Sequence, residues 1–210
     1  MPEWKISSDP IPFPDALAFM QARVESIADD AADETIWLLE HPPMYTSGTS
    51  AKKEDLIDAR FDVFETGRGG EYTYHGPGQR VGYVMLNLKK RYAPNVPDVR
   101  DFVSRLQCWI ILSLGDFGIE GLVREGRVGV WVMDKTGKEC KIAAQGIRIS
   151  RGISYHGIAV NVAPDLSHYS GIVPCGISSY GVTSMKELGA NISLPEFDGA
   201  LQKHFAEVFG

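Results

Sequence analysis

The 210 residues carry 44% hydrophobic and 23% charged side chains, a balance that suits one globular domain with a substantial core. A formal net charge of -6 argues against general nucleic-acid binding, which shows a basic excess. No apolar stretch approaches the ~20 residues of a membrane span, and MPEWKISSDPIPFPDAL has neither the apolar core of a secretory signal nor the arginines of a transit peptide.

Taken in chain order, Asp15 to Ile27 is an amphipathic helix with Leu17, Met20, Val24 and Ile27 on one face. Ile36 to Leu39 is a short apolar strand stopped by Pro42 and Pro43. VGYVMLNL, Val81 to Leu88, is a buried strand. Asp98 to Leu114 is the longest helix, its buried stripe traced by Val99, Phe102, Leu106, Ile110 and Ser113, and Gly115 suits its end. RVGVWVMDKTGKECKIAAQGIRIS is a hairpin turning around Lys135, Thr136 and Gly137. Ile153 to Val162 is another strand. A last helix opens on a capping box, Ser193 and Glu196, with Phe197, Leu201, Phe205 and Val208 as its face. Hairpins with helices at the start, middle and end predict an α+β domain over residues 1–210, with an antiparallel or mixed sheet rather than a doubly wound parallel one.

The three cysteines, Cys108, Cys140 and Cys175, are widely spaced and odd in number, which fits a reducing cytosol better than a disulfide framework. No CxxC or HExxH pair occurs, so no structural metal is expected. RGGEYTYHGPGQ, Arg68 to Gln79, has no apolar run to bury. Its glycines at 69, 70, 76 and 78 let main chain approach a ligand closely, while Arg68 offers planar donors and His75 a titratable ring. An ordinary turn-rich loop fits the same composition. A phosphate loop does not, because neither GxxxxGK[ST] nor GxGxxG is present.

Cys175 stands between Pro174 and Gly176, on a tight turn that would expose its sulfur, and Lys141 opens the strand KIAAQGIRIS. Alone, the first would be a small buried residue and the second a solvated lysine. Together they suggest an activated thiolate. A free thiol has a pKa of ~8.5, and an ammonium at ~4 Å attracts the ionised sulfur by about 4 kcal/mol at an effective dielectric near 20, before desolvation. Cys140 should point away from Lys141 in the alternating strand. Cys108 is expected to pack, and His168 and His204 to lie on the surface. His41 and His156 could be structural or line the site.

EHPPMYTSG, RGGEYTYHGPGQRVGYVMLNL, KIAAQGIRISRGISYHGIAVNV and IVPCGISSYGVTSM, in that order, resemble the octanoyltransferase family, also called lipoyl(octanoyl) transferases or lipoate-protein ligase B. The resemblance covers most of the chain. It implies the biotinyl/lipoyl protein ligase fold, a mixed sheet flanked by helices. It also implies transfer of an octanoyl group from acyl carrier protein to a lysine of lipoyl domains, those of 2-oxoacid dehydrogenase E2 subunits and of the glycine cleavage H protein. Cys175 then corresponds to the acyl-thioester nucleophile and Lys141 to the residue that lowers its pKa. Arg68, Gly69, Gly70, Glu71, Tyr72, Thr73, Tyr74 and His75 match the first substrate-binding stretch; Ala144, Gln145 and Gly146, and Gly157, Ile158 and Ala159, match the other two. Gln145 departs from the apolar residue expected there, which bears on the shape of the acyl pocket.

A thioester donor is already activated, so the resemblance implies no ATP and no metal, with Val81 to Leu88 as a wall for the eight-carbon chain. Acidic partners would require a local basic patch, for which Lys89, Lys90 and Arg91 are the densest candidates, followed by Arg148 and Arg151. The rival expectations are an ATP-dependent lipoate or biotin ligase of the same fold, a non-catalytic acyl-carrier-binding module, and a cysteine hydrolase.

Overall fold

A computed structural model describes residues 1–173 and 180–210. In chain order its elements are β1 (Glu3–Ile6), α1 (Phe13–Ala28), β2 (Thr35–Leu39), β3 (Met44–Ser47), β4 (Val63–Glu65), β5 (Thr73–His75), β6 (Gln79–Met85), α2 (Leu88–Tyr92), α3 (Val99–Gly115), β7 (Leu122–Arg124), β8 (Arg127–Met133), β9 (Glu139–Ser150), β10 (Ile153–Asn161), β11 (Gly181–Val182), α4 (Met185–Leu188) and α5 (Leu194–Phe209). The main sheet runs β1-β2-β6-β10-β9-β8-β7, with β11 also on β9. β1–β2 and β11–β9 are parallel and the other pairings antiparallel, which makes the sheet mixed, as the hairpin pattern predicted.

Period-two alternation assigns the two faces. Ile36 and Leu38 of β2, with Val84 of β6, pack toward α3 and α5. Trp37 and Leu39, with Val81, Tyr83 and Met85, pack toward α1. Each fully buried side chain of this size contributes roughly 1.5–3 kcal/mol. α3 and α5 meet through Trp109, whose ring packs edge-on against Phe205 while its Nε1 donates to the Leu201 carbonyl at 2.7 Å. A buried ion pair, Arg80 Nε to Asp198 Oδ1 at 2.8 Å, ties β6 to α5.

Local chemistry sets the ends of the helices. Asp98 caps α3 by accepting from the N–H groups of Arg100 and Asp101, and α5 carries the expected Ser193–Glu196 capping box. α1 starts two residues earlier than the apolar periodicity indicates, because Pro14 in the first turn needs no N–H partner there. The strand predicted as Val81–Leu88 leaves the ladder at Met85: Asn87 accepts from Lys90 N and caps α2, whose first residue is Leu88. Val99 is 45% exposed, so the buried stripe of α3 begins at Phe102 and runs through Leu106, Trp109, Ile110 and Leu114. Cys108 faces solvent on this helix instead of packing.

The sequence reading passed over a second sheet, β4-β3-β5, of three very short strands. Its aromatic core, Tyr45, Tyr72, Tyr74 and Tyr169, is separate from the two main clusters.

Candidate active site

β3 and the chain after it form the bed for the glycine-rich stretch. Thr49 N donates to the Arg68 carbonyl at 2.9 Å and Ser50 N to that of Gly70 at 3.0 Å. On the other side Gly69 N donates to the Ile147 carbonyl of β9 at 3.1 Å, so the loop is stitched between the two sheets. The Arg68 side chain contributes to this stitching. Its Nη2 donates to Thr46 Oγ1 at 2.8 Å and to the Glu71 carbonyl at 3.1 Å, and its Nη1 to the Gly69 carbonyl at 3.0 Å. The guanidinium shapes the loop it belongs to.

The loop covers a cavity of about 320 Å³. Val81, Tyr83, Ile158 and Ala159 give it an apolar wall from β6 and β10. Arg68, Gly70, Glu71, Tyr72, Thr73 and His75 line one side, and Ala144, Gln145, Gly146 and Gly157 another. All three stretches singled out in the sequence therefore meet at one place. Gly69 and Tyr74 do not line it: Tyr74 turns into the aromatic cluster, where its hydroxyl lies 2.8 Å from His168 Nδ1. Of the predicted Val81–Leu88 wall only Val81 and Tyr83 reach the cavity, because Val84, Leu86 and Leu88 belong to the opposite face.

Lys141 lines the same cavity and is 7% exposed, not solvated like most lysines at strand starts. Its strand has neighbours on both edges there, Trp131 of β8 and Val182 of β11. The ammonium lies 5.2 Å from the Trp131 ring centre, a cation–π distance. Gly129 makes room for it: a Cβ at that position would stand 2.4 Å from Lys141 Cε. Cys140, next in the strand, is off the cavity, with its Sγ 3.8 Å from Asp134 Oδ2. Cys175, the expected nucleophile, and Gly176 lie outside the described residues.

Three buried histidines surround the apolar wall, and all are neutral. Burial pushes His41 down to about 4, while burial and the neighbouring His41 push His75 to about 3. His156 falls to about 3 through burial and the charge of Arg68. His41 is a structural clasp: its Nδ1 donates to the Ile11 carbonyl at 2.5 Å, so Nε2 accepts from the Tyr83 hydroxyl at 2.6 Å. His156 lines the cavity, reached by a left-handed backbone at φ 57° that interrupts the strand alternation. Among the described residues its buried Nε2 has no hydrogen-bond partner, and neither has either amide atom of Gln145.

Trp131, Arg127 and Gly129 also belong to this site and were missed in the sequence, where they read as ordinary hairpin residues. The Arg127 guanidinium sits 4.3 Å from the Tyr180 ring centre and 4.8 Å from that of Trp131. His168 and His204 are not simple surface residues either: His168 packs against Phe61, and His204 Nε2 lies 3.1 Å from Asp116 Oδ1. The basic run at Lys89–Arg91 is largely neutralised. Lys90 pairs with Asp30, Arg91 with Glu34 at 2.6 Å, and Arg151 with Glu25 at 2.8 Å and Asp29 at 2.6 Å. The acids that do this sit in α1 and the loop after it, far away in sequence.

A model of the lipoyl protein ligase A/B catalytic domain matches residues 12–206. An octanoyltransferase of Jannaschia sp. (strain CCS1) is 55% identical over 219 residues, covering 100% of both chains. An octanoyltransferase of Nitrobacter hamburgensis is 56% identical, covering 99% of this chain and 87% of its own. Among solved structures, the bi-partite lipoate protein ligase of Thermoplasma acidophilum superposes with a TM-score of 0.72 at 17% identity, over 99% of this chain and 84% of its own. The biotin protein ligase of Aquifex aeolicus gives a TM-score of 0.59 at 13% identity, over 100% of this chain and 71% of its own. These remote likenesses show the fold, and the close relatives show the lineage: the chain is an acyltransferase that belongs to the octanoyltransferase family, within the lipoyl protein ligase A/B catalytic domain class.

Proposed function

We propose that the protein transfers an octanoyl group from octanoyl-acyl carrier protein to a lysine of lipoyl domains, in the cytosol, without ATP or a metal. Full-length similarity to octanoyltransferases supports the acyl group. The observation that carries the chemistry is a buried ammonium, Lys141, on the wall of a cavity with an apolar lining. Such an ammonium favours an anion beside it, and Cys175 is the residue proposed to supply the anion.

In the first step the Cys175 thiolate attacks the thioester carbonyl carbon, a carbon–sulfur bond forms to Cys175, and the carrier thiolate leaves. In the second, the neutral lysine amine attacks the new thioester. A carbon–nitrogen bond forms, the bond to Cys175 breaks, and the amine proton goes to the departing sulfur. Both steps start from an activated acyl group and end in an amide, so no nucleotide is consumed. The main-chain N–H of Gly176 and the glycine-rich loop are the proposed donors to the oxyanion. The E2 subunits of 2-oxoacid dehydrogenases and the glycine cleavage H protein are the proposed acceptors.

The test is mixing the protein with octanoyl-acyl carrier protein and following intact mass, then adding a lipoyl domain without nucleotide. The expected result is an octanoyl adduct on Cys175 that decays as the domain gains mass, and loss of both in Cys175→Ser. Product without an adduct, or a requirement for ATP, would overturn the proposal.

A further inference from the structure

His75 ends β5 on the cavity wall, with Nδ1 2.6 Å from Gln79 Oε1. The bonds behind Gln79 settle which group donates. Asn161 Nδ2 donates at 3.0 Å to the Thr183 carbonyl, which can only accept, so Asn161 presents Oδ1 on its other side. That oxygen accepts from Gln79 Nε2 at 3.0 Å and from the Tyr169 hydroxyl at 3.1 Å. Gln79 Nε2 also reaches the Tyr74 carbonyl at 3.1 Å. With its nitrogen committed to these oxygens, Gln79 turns its own oxygen to His75, and an amide oxygen cannot donate. The proton is therefore on Nδ1, and the lone pair is on Nε2.

The chain of bonds is buried throughout: Gln79 is 1% exposed and Asn161 3%. It ends on the other key residue of the site, since Thr183 N donates to the Lys141 carbonyl at 2.9 Å. A ring with its conjugate acid near 3 holds no second proton at neutral pH, so His75 accepts a hydrogen bond but does not remove a proton from an ammonium.

We propose that Gln79 and Asn161 are positioning residues that lock His75 in the Nδ1–H form, so that Nε2 presents a standing acceptor to the neutral amine of the incoming lysine. The amine clause rests on the octanoyl-transfer reading; the tautomer does not. Held by Nε2, one N–H of the amine is fixed, while the proton released on bond formation still goes to sulfur. A buried amide network of this kind is a stable way to hold a tautomer, because each misoriented member would leave a desolvated polar group unpaired.

The experiment is nitrogen NMR of the protein labelled at the histidine ring nitrogens, with the His75 signals assigned by their loss in His75→Gln. The expected spectrum has a pyrrole-like Nδ1 and a pyridine-like Nε2 without substrate. In Gln79→Leu the ring should go over to the Nε2–H form. Transfer from acylated protein to the lipoyl domain should then slow by about tenfold, with KM for the donor little changed, the effect of one lost orienting hydrogen bond. A wild-type spectrum with protonated Nε2 would overturn the inference even if transfer proceeds. An unchanged tautomer in folded Gln79→Leu would do the same. If the correct tautomer is found in a protein that transfers no octanoyl group, the amine clause and the functional proposal fall, and the network assignment stands.

Discussion

Gly146 and Gly157 lie opposite each other in the β9–β10 ladder, and neither has space for a side chain. A Cβ on Gly146 would stand 2.9 Å from the Gly69 carbonyl oxygen, and one on Gly157 would stand 2.2 Å from that of Gly82. The pair thus lets the Arg68 loop close down on one strand and β6 pack beside the other. The two should respond differently to alanine. In Gly157→Ala the methyl meets a central strand that cannot move, and a loss of about 1–3 kcal/mol in urea unfolding is expected. In Gly146→Ala the surface loop can give, so stability should change less while donor KM rises. Equal effects on stability would show that the loop is as rigid as the sheet.

Gln145 buries its amide without a hydrogen-bond partner among the described residues. Its nitrogen and oxygen are both shielded without hydrogen bonds, and it sits across from the apolar Ile158. An unsatisfied buried amide costs about 1–3 kcal/mol, so Gln145→Met, similar in volume and apolar, should raise the unfolding midpoint. A lower midpoint for this variant would mean that the amide is satisfied in solution.

The Arg80–Asp198 pair is buried at both ends, with side chains 4% and 5% exposed. Nε and Oδ1 make an ion contact, and Nη2 donates to Oδ2 at 3.1 Å. Asp198→Asn leaves the guanidinium without its counter-charge and should cost about 3–5 kcal/mol. Replacing both, as Arg80→Met with Asp198→Leu, should recover most of that loss. Thermal and urea unfolding of the three proteins would decide, and a fully stable Asp198→Asn would refute the assignment.

Acid sensitivity follows from the neutral histidines. His41, His75 and His156 sit at about 4, 3 and 3 when folded, against 6.5 for an ordinary histidine. Their depressed values contribute stability that is complete above about 6.5 and is lost as pH falls toward the folded values. Asp198 works the other way: burial, partly offset by Arg80, raises it from 3.8 to about 6, so its contribution grows as pH falls through 6. Near pH 5 the histidines outweigh it by about two protons, and urea-derived stability should fall by roughly 2–3 kcal/mol per pH unit. A flat profile between pH 7 and 5 would contradict the burial of these rings. His204, raised chiefly by its hydrogen bond to Glu207, loses its contribution on the alkaline side and leaves this limb unchanged.

Much of this arrangement is legible in the residues. The long helices, the hairpin and the final capping box follow from local periodicity and turn chemistry, which act within a few residues and survive in any tertiary context. Other features were hidden. The β4-β3-β5 sheet has strands of three or four residues, too short for a period to show. Val99 and Cys108 fell on the wrong side of solvent because the helix has one apolar stripe and its angular position depends on what packs against it. His156 enters the cavity through a left-handed backbone that alternation cannot foresee.

Where helices and strands form, which faces are apolar, and which segments carry reactive side chains are properties of neighbours in the chain, and so can be read from it. The folded chain settles that Arg68 bonds its own loop and Thr46, that Lys141 is buried, that Lys90 and Arg91 are paired with acids from the loop after α1, and that His75 carries its proton on Nδ1. Burial, charge pairing and tautomer state depend on groups tens of residues away. They come into being when the sheet closes.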